Sequence, residues 1–181
     1  MLFRSMMFIK NKQISVVSIL ASVLITINLA MPPIKAYAQS YMVEEVSAEF
    51  NEEVNCLAQN IYYEAAKEPY EGKLAVAQVT LNRVNSGKFA GTVCGLVKQK
   101  DKINGVMICQ FSWFCNQAYT RIVRNPYQWE ESVLAAKKAL TEPVAHDGIY
   151  KSGAMYYHAN YINPGWHLTR VAQIGNHIFY R

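Results

Sequence analysis

A single glutamate, Glu64, lies in the stretch IYYEAA among aromatic and apolar residues, where a charged side chain is costly. On a helical wheel Glu64 falls beside Leu57, at the rim of the apolar stripe and not on its solvent side. A carboxyl group in a partly apolar environment keeps its proton to higher pH, because desolvation disfavours the charged form. A general acid that protonates a glycosidic oxygen requires this property. The position also fits a surface glutamate paired with Lys67, so the pattern alone leaves both interpretations open.

Two further acids, Glu68 and Glu71, follow closely and are candidates for a second carboxylate. A glycoside hydrolase uses a pair of carboxyl groups about 5–9.5 Å apart, depending on its stereochemistry. Both acids also precede or begin the next helical segment, where carboxylates favour the positive end of the helix dipole. A purely structural role is therefore the competing interpretation for Glu68 and Glu71.

Polar and aromatic side chains that could bind a sugar form a second set of candidates. Amide and hydroxyl groups bind sugar hydroxyls, and a flat ring covers the apolar face of a sugar. These candidates are Gln78, Asn82, Gln110, Ser112, Trp113 and Trp166. The segment from Gln110 to Trp113 fits equally well as a core loop between cysteines, and Trp166 fits as a plug in the core. The four histidines are scattered and no H-E-x-x-H motif occurs, so no metal site is predicted.

The four cysteines, Cys56, Cys94, Cys109 and Cys115, predict two disulfides if the chain is exported. Three connectivities are possible, and the pair Cys94–Cys109 is weakly favoured because it flanks a short loop. Zinc is the competing interpretation, but no closely spaced C-x₂₋₄-C pair is present.

The elements that must position these residues are helices first and strands later. The apolar periodicity predicts helices over 52–66, 70–85, 92–99 and 128–140, with a loop over 101–107. Short aromatic strands are predicted near 153–160, 171–174 and 177–180, the last two joined by a hairpin turn at Gly175-Asn176. Helices followed by a small antiparallel sheet indicate an α+β fold.

The N-terminus has the layout of a secretory signal peptide over residues 1–38, with a basic start, an apolar segment and an A-x-A site ending at Ala38. An uncleaved membrane anchor is the alternative, and membrane contact is expected only through this segment. Residues 39–51 are interpreted as a polar tail and residues 52–181 as the folded domain. Without the leader the chain has 14 basic and 13 acidic residues, so its charge does not indicate a nucleic-acid partner.

Ordered motifs along the chain resemble the bacterial cell wall hydrolase family typified by the spore cortex-lytic enzyme SleB. Residues 62–84 carry the pattern Y-x-E-A-x-x-E-P-x-E-G-x-x-A-V-A-x-V-x-L-N-R-V. Downstream, the resemblance continues in TVCGLVKQ (92–99), QFSW (110–113), Tyr157-His158-Ala159 and the closing IGNHIFYR (174–181). The family usually has Arg-Gly where this chain has Ala66-Lys67.

The resemblance implies a lysozyme-like catalytic domain that cleaves the glycan strand of peptidoglycan. The family glutamate falls on Glu64, which would act as the general acid and then the base of a lytic transglycosylase. The resemblance also places Tyr157 and His158 near the cleft, although a hydrogen-bonded structural role is the competing interpretation for His158. The implied enzyme is exported to the periplasm or cell wall, acts as a monomer and needs no cofactor.

Two other functions stay open from the sequence. Cys56 at a helix start and His158 on a strand could form a papain-like amidase, but an even cysteine count in an exported chain argues for an oxidised Cys56. The departure at Ala66-Lys67 leaves room for a protein that binds the wall without cleaving it.

Overall fold

The computed structural model describes residues 34–116, 125–142 and 147–181. The chain divides into two compact units, residues 1–46 and residues 47–181. Helix α1 spans Ile34–Ala65. The helix predicted from residue 52 therefore begins earlier, because neither glycine nor proline interrupts the sequence between Ile34 and Ala65. Residues 39–51, interpreted as a tail, lie in this helix, and residues 1–33 of the predicted leader lie outside the described residues.

The other described helices are α2 (Tyr70–Asn85), α3 (Val93–Val97), α4 (Ser112–Cys115), α5 (Pro126–Thr141) and α6 (Asp147–Ser152). Helices α2, α3 and α5 were predicted, whereas the short helices α4 and α6 were not. Thr92 caps α3 as predicted, since its side-chain oxygen accepts from the backbone N–H of Gly95 at 3.0 Å. Asn125 caps α5 in the same way, through the backbone N–H of Gln128 at 3.2 Å.

The described ranges contain five strands, which form two antiparallel sheets. A hairpin of β1 (Lys100–Ile103) and β2 (Val106–Cys109) turns at Asn104 and Gly105, which both have positive φ. This hairpin corrects the loop predicted over 101–107. The second sheet contains β3 (Tyr156–Ala159), β4 (Arg170–Ile174) and β5 (His177–Tyr180) in the order β3-β5-β4. The predicted hairpin at Gly175-Asn176 and the α+β fold class are confirmed.

Among the residues that the structure describes, the core has two apolar clusters, and both contain residues of α2. One cluster packs α1, α2, α3, α4 and α5 around residues such as Leu57, Ile61 and Leu96, which are inaccessible to solvent. The other lies under the second sheet and includes Val76, Val79 and Phe179. Helix α2 is buried on most of its sides because it contributes to both clusters. Burial of each large apolar side chain stabilises the fold by about 1.5–3 kcal/mol.

Two disulfides brace the helical part, and their pairing corrects the weakly favoured connectivity. Cys56 of α1 pairs with Cys94 of α3, and Cys109 pairs with Cys115. A contact of Glu53 accounts for the first disulfide. The Glu53 carboxylate accepts hydrogen bonds from the backbone N–H groups of Val93 and Cys94, at 2.7 and 3.0 Å. This contact docks the start of α3 on α1, while α4 folds Cys115 back towards the end of β2.

Within the described ranges, we find no helix that combines the length and the apolar character needed to cross a membrane.

Candidate active site

A cleft of about 360 Å³ opens between the C-terminal end of α1 and the edge of the second sheet. Glu64 lies in its wall, partly exposed. The lining residues are Tyr62, Tyr63, Glu64, Ala65, Ala66, Lys67, Glu68, Ala159, Tyr161, Asn176 and His177. The predicted acid is therefore accessible from a cleft large enough to admit a sugar.

Glu64 is held by a tyrosine from the far end of the sequence. The hydroxyl of Tyr157 on β3 donates a hydrogen bond to Oε2 of Glu64 at 3.1 Å. No ion pair joins Lys67 to Glu64 in the described part of the chain. Burial raises the pKa of Glu64 above its ordinary value, and the Tyr157 hydrogen bond and the charge of Arg83 oppose this rise only in part. The result is a carboxyl group that keeps its proton to higher pH than an exposed glutamate does.

Arg83 of α2 supplies the positive charge behind Glu64. It is buried, and its Nε donates to the backbone carbonyl of Met155 at 2.7 Å. Its guanidinium also lies over three aromatic rings, those of Phe89, Phe111 and Tyr156, at 5.5–6.0 Å from the ring centres. Burial lowers the pKa of Arg83, but an arginine side chain stays protonated in proteins. Arg83 is therefore a fixed charge that favours the carboxylate form of Glu64.

Glu68 lines the cleft, but its carboxylate is engaged with the β4–β5 turn. Oε2 accepts from the backbone N–H of Asn176 at 2.8 Å, and Oε1 accepts from the Asn176 side chain at 3.2 Å. Gly175, with φ +55°, brings the turn against this carboxylate. Glu71 is exposed in the first turn of α2 and does not line the cleft. Glu68 thus fixes the turn that forms one wall of the site.

Gln78 and Asn82 form a chain of hydrogen bonds away from Glu64. The amide of Gln78 donates to Oδ1 of Asn82 at 2.9 Å, and Asn82 donates to the carbonyl of Ala154 at 2.9 Å. Gln78 lines a different cavity, of about 370 Å³, between α2 and the end of α5. These two amides join α2 to the segment before β3, and so hold the sheet that carries Tyr157.

The QFSW segment supports the cleft from behind. Trp113 is buried, and its indole N–H donates to Oδ1 of Asn60 at 3.2 Å. Its ring stacks on Tyr63, with ring centres 4.5 Å apart. Ser112 is exposed at the start of α4, and Gln110 is partly buried after β2. Trp113 therefore contacts a cleft residue without lining the cleft itself, and Gln110 and Ser112 do not line it either.

The structure places His158 and Trp166 on the other face of the second sheet. Tyr157, Phe179 and His177 share the face towards Glu64, whereas His158 alternates to the opposite face. There His158 is within hydrogen-bond distance of the Tyr180 hydroxyl at 2.9 Å, and its ring lies 5.5 Å from that of Trp166. Of the predicted sugar-binding residues, only Tyr157 is brought into contact with Glu64.

Several cleft residues were absent from the sequence candidates. They are Tyr62, Tyr63, Ala65, Ala66, Lys67, Ala159, Tyr161, Asn176 and His177. Asn176 and His177 lie in the closing IGNHIFYR motif, which pointed to a hairpin but gave no sign of which residues face the acid. Ala66 and Lys67 are the two positions where this chain departs from the family pattern.

A helical core with a small antiparallel sheet, closed around one partly buried glutamate, defines a lysozyme-like domain. The sequence profile described as cell wall hydrolase matches residues 67–180. The chain belongs to the cell wall hydrolase family. The matched segment begins just after Glu64, so this match does not include the predicted acid.

Individual relatives agree with this family. The chain is 34% identical over 134 residues to a spore cortex-lytic enzyme of Oceanobacillus iheyensis, covering 70% of this chain and 41% of the relative. It is 30% identical over 155 residues to a spore cortex-lytic enzyme of Bacillus subtilis, covering 81% and 44%. The chain thus spans less than half the length of these curated relatives. The crystal structure of the catalytic domain of the Bacillus cereus SleB protein superposes with a TM-score of 0.52 at 25% identity, covering 72% of this chain and 91% of that domain.

Proposed function

We propose that this protein cleaves the glycan strand of peptidoglycan between N-acetylmuramic acid and N-acetylglucosamine, as a lytic transglycosylase with Glu64 as general acid and base. The observation that carries the proposal is the partly buried Glu64, with a raised pKa, in the wall of a sugar-sized cleft. Membership of the cell wall hydrolase family and the names of the curated relatives support the substrate class.

The reaction needs one acid whose proton leaves and returns. Protonated Glu64 gives its proton to the glycosidic oxygen while the bond from that oxygen to C1 of the muramic acid breaks. The C6 hydroxyl of the same sugar attacks C1, and its proton passes to the Glu64 carboxylate. The attacking group is already part of the bound substrate, so no bimolecular encounter is required. The products are a 1,6-anhydro end and a free hydroxyl on the leaving sugar.

The engagement of Glu68 supports a mechanism with one acid. A hydrolase with two carboxylates would need the second one free to attack C1 or to activate a water. Both oxygens of Glu68 instead accept hydrogen bonds from Asn176. Cys56 supports no competing thiol mechanism, because it is bonded to Cys94.

The decisive experiment compares wild type, Glu64→Gln and Glu71→Gln on purified murein sacculi, with mass spectrometry of the released fragments. Glu71→Gln is the matched control, since it neutralises an exposed acid outside the cleft. We expect wild type and Glu71→Gln to release anhydro-muropeptides and Glu64→Gln to release almost none. Fragments with reducing ends would show that the enzyme is a hydrolase and not a transglycosylase. Full activity of Glu64→Gln would show that Glu64 is not the general acid. Binding without any released fragment would instead indicate a wall-binding protein.

We further propose that the protein is exported and acts as a monomer in the periplasm or cell wall. The basic-apolar layout of residues 1–38 and the two disulfides support export. The mass of the protein recovered after cell fractionation distinguishes a cleaved leader, expected to end at Ala38, from a retained anchor.

A further inference from the structure

His177 is a cleft residue to which the proposed reaction gives no role. It lies at the start of β5, is only 8% exposed and lines the same cleft as Glu64. Its Nδ1 is buried and has no hydrogen-bond partner, the one such side-chain nitrogen or oxygen within the described ranges. An unsatisfied polar atom of this kind is destabilising and is uncommon in native proteins.

The surroundings of His177 are suited to an apolar ring. The ring packs edge-on against Tyr157 at 5.1 Å and lies 6.1 Å from the ring of Phe179. A phenylalanine would fill this place without leaving a polar atom unpaired. The presence of an imidazole here is therefore not explained by packing.

The surroundings of His177 favour the neutral form of its imidazole. Burial lowers the pKa of His177, the neighbouring His158 lowers it further, and only Glu68 acts in the opposite direction. A neutral imidazole has one nitrogen that donates and one that accepts. This combination suits hydroxyl and acetamido groups, which both donate and accept, better than it suits a charged ligand.

The backbone beside His177 is fixed before any ligand binds. Glu68 holds the preceding residue, Asn176, through the two hydrogen bonds described above. The ring itself is less constrained, because no hydrogen bond holds Nδ1. A half turn about the Cβ–Cγ bond exchanges Nδ1 with a carbon in nearly the same volume. No hydrogen bond of Nδ1 therefore opposes such a turn.

We propose that His177 binds substrate beside Glu64, by a hydrogen bond between its imidazole and a hydroxyl or acetamido group of the amino-sugar strand. This inference rests on the proposed function, since it names a contact in the same cleft. His177 fixes the position of the sugar, while Glu64 carries out the proton transfer.

The experiment replaces His177 by phenylalanine, which keeps the ring but removes both nitrogens, and by asparagine and glutamine, whose amides lie near the positions of Nδ1 and Nε2. We expect His177→Phe to keep or raise the melting temperature and to raise KM for soluble peptidoglycan fragments about tenfold, as the loss of one hydrogen bond of about 1.4 kcal/mol predicts. At least one amide variant should recover most of the affinity, and kcat should change less than KM. His167→Phe, at an exposed histidine, is the matched control.

A second arm measures the binding of the same fragments by Glu64→Gln protein, with and without His177→Phe. If wild type releases no fragments, the proposed reaction fails, but this arm still tests His177. A His177→Phe protein with wild-type KM and wild-type binding overturns the inference. The inference is also overturned if the loss of affinity parallels a loss of stability and neither amide variant restores it. His177 would then only hold the cleft wall in place.

Discussion

Gly175 permits the contact between the β4–β5 turn and Glu68, so Gly175→Ala tests how the cleft wall is held. A Cβ at this position would meet Oε2 of Glu68 and would lie 2.9 Å from Cδ of Pro69. Gly175 also has φ +55°, a backbone conformation that residues with a Cβ rarely adopt. The substitution therefore combines backbone strain with displacement of a carboxylate.

The two effects have separate magnitudes. Holding an alanine in the left-handed region costs about 1–2 kcal/mol. Displacing Glu68 breaks hydrogen bonds to a charged acceptor, which are worth about 1.5–3 kcal/mol each when shielded from water. Asn176 is exposed, so water replaces part of this loss. We expect a total of about 2–4 kcal/mol, a large fraction of the roughly 5–15 kcal/mol typical of a domain.

Urea unfolding measures this cost, and Gly87→Ala is its matched control. Gly87 has φ +68° and no atom within 4 Å of the place where a Cβ would lie, so its substitution introduces the backbone strain without the clash. Gly175→Ala should cost at least about 1 kcal/mol more than Gly87→Ala and should also reduce cleavage, because Asn176 and His177 shift together. In a double-mutant cycle, Glu68→Ala should make Gly175→Ala less costly. Equal costs for the two glycine variants, or additivity with Glu68→Ala, would refute the contact as the reason for the glycine.

Three further predictions concern the acid and the disulfides. Tyr157→Phe removes a hydrogen bond that lowers the pKa of Glu64, so the basic limb of the pH–rate profile should move to higher pH; a limb that stays or moves down contradicts this. The pKa of Glu64 is raised above its ordinary value of 4.5, so the folded state holds a proton on Glu64 at pH values where the unfolded state has lost it. The free energy of unfolding therefore falls as the pH rises above 4.5 towards the pKa of Glu64 in the folded state. Glu64→Gln should therefore be more stable than wild type at pH 7, with a difference that shrinks below pH 4.5, as urea unfolding at both pH values would measure. From loops of 38 and 6 residues, replacing the pair Cys56–Cys94 by serines should cost about 4 kcal/mol and the pair Cys109–Cys115 about 2 kcal/mol, and the reverse order would contradict the loop-entropy account.

The elements that follow from local patterns were predictable from the sequence. Helices α2 and α5 have apolar residues at helical spacing and end near the predicted positions. The turn at Gly175-Asn176 was predicted because glycine and asparagine tolerate positive φ. The β1–β2 hairpin was missed although Asn104-Gly105 carries the same signal, because both strands are only four residues long and largely exposed, and β1 is mostly charged. Alternation with a buried face, which normally identifies a strand, is absent there.

The sequence could identify a site residue from its local surroundings, but it could not identify contacts between residues far apart in the chain. Glu64 became a candidate from its own surroundings on one helix, and the family resemblance then singled it out. Its hydrogen bond with Tyr157 joins residues 93 positions apart, and the bond from Asn176 to Glu68 joins residues 108 positions apart. No spacing rule covers such distances, since they depend on how the sheet packs on α1 and α2. The same limit explains the disulfides, whose pairing follows from the docking of α3 through Glu53.

The surroundings of Glu64 have to serve both halves of the proposed reaction. Burial alone would hold the proton on Glu64. Glu64 would then be protonated when the substrate binds, but it would release the proton to the glycosidic oxygen less readily. Tyr157 and Arg83 act in the opposite direction, because a hydrogen-bond donor and a positive charge both stabilise the carboxylate that remains after the proton has left. Because burial is the larger effect, the pKa stays raised, while the two partners keep the charged form accessible. The pairing of a buried acid with Tyr157 and Arg83 therefore fits a residue that must first donate a proton and then take one back.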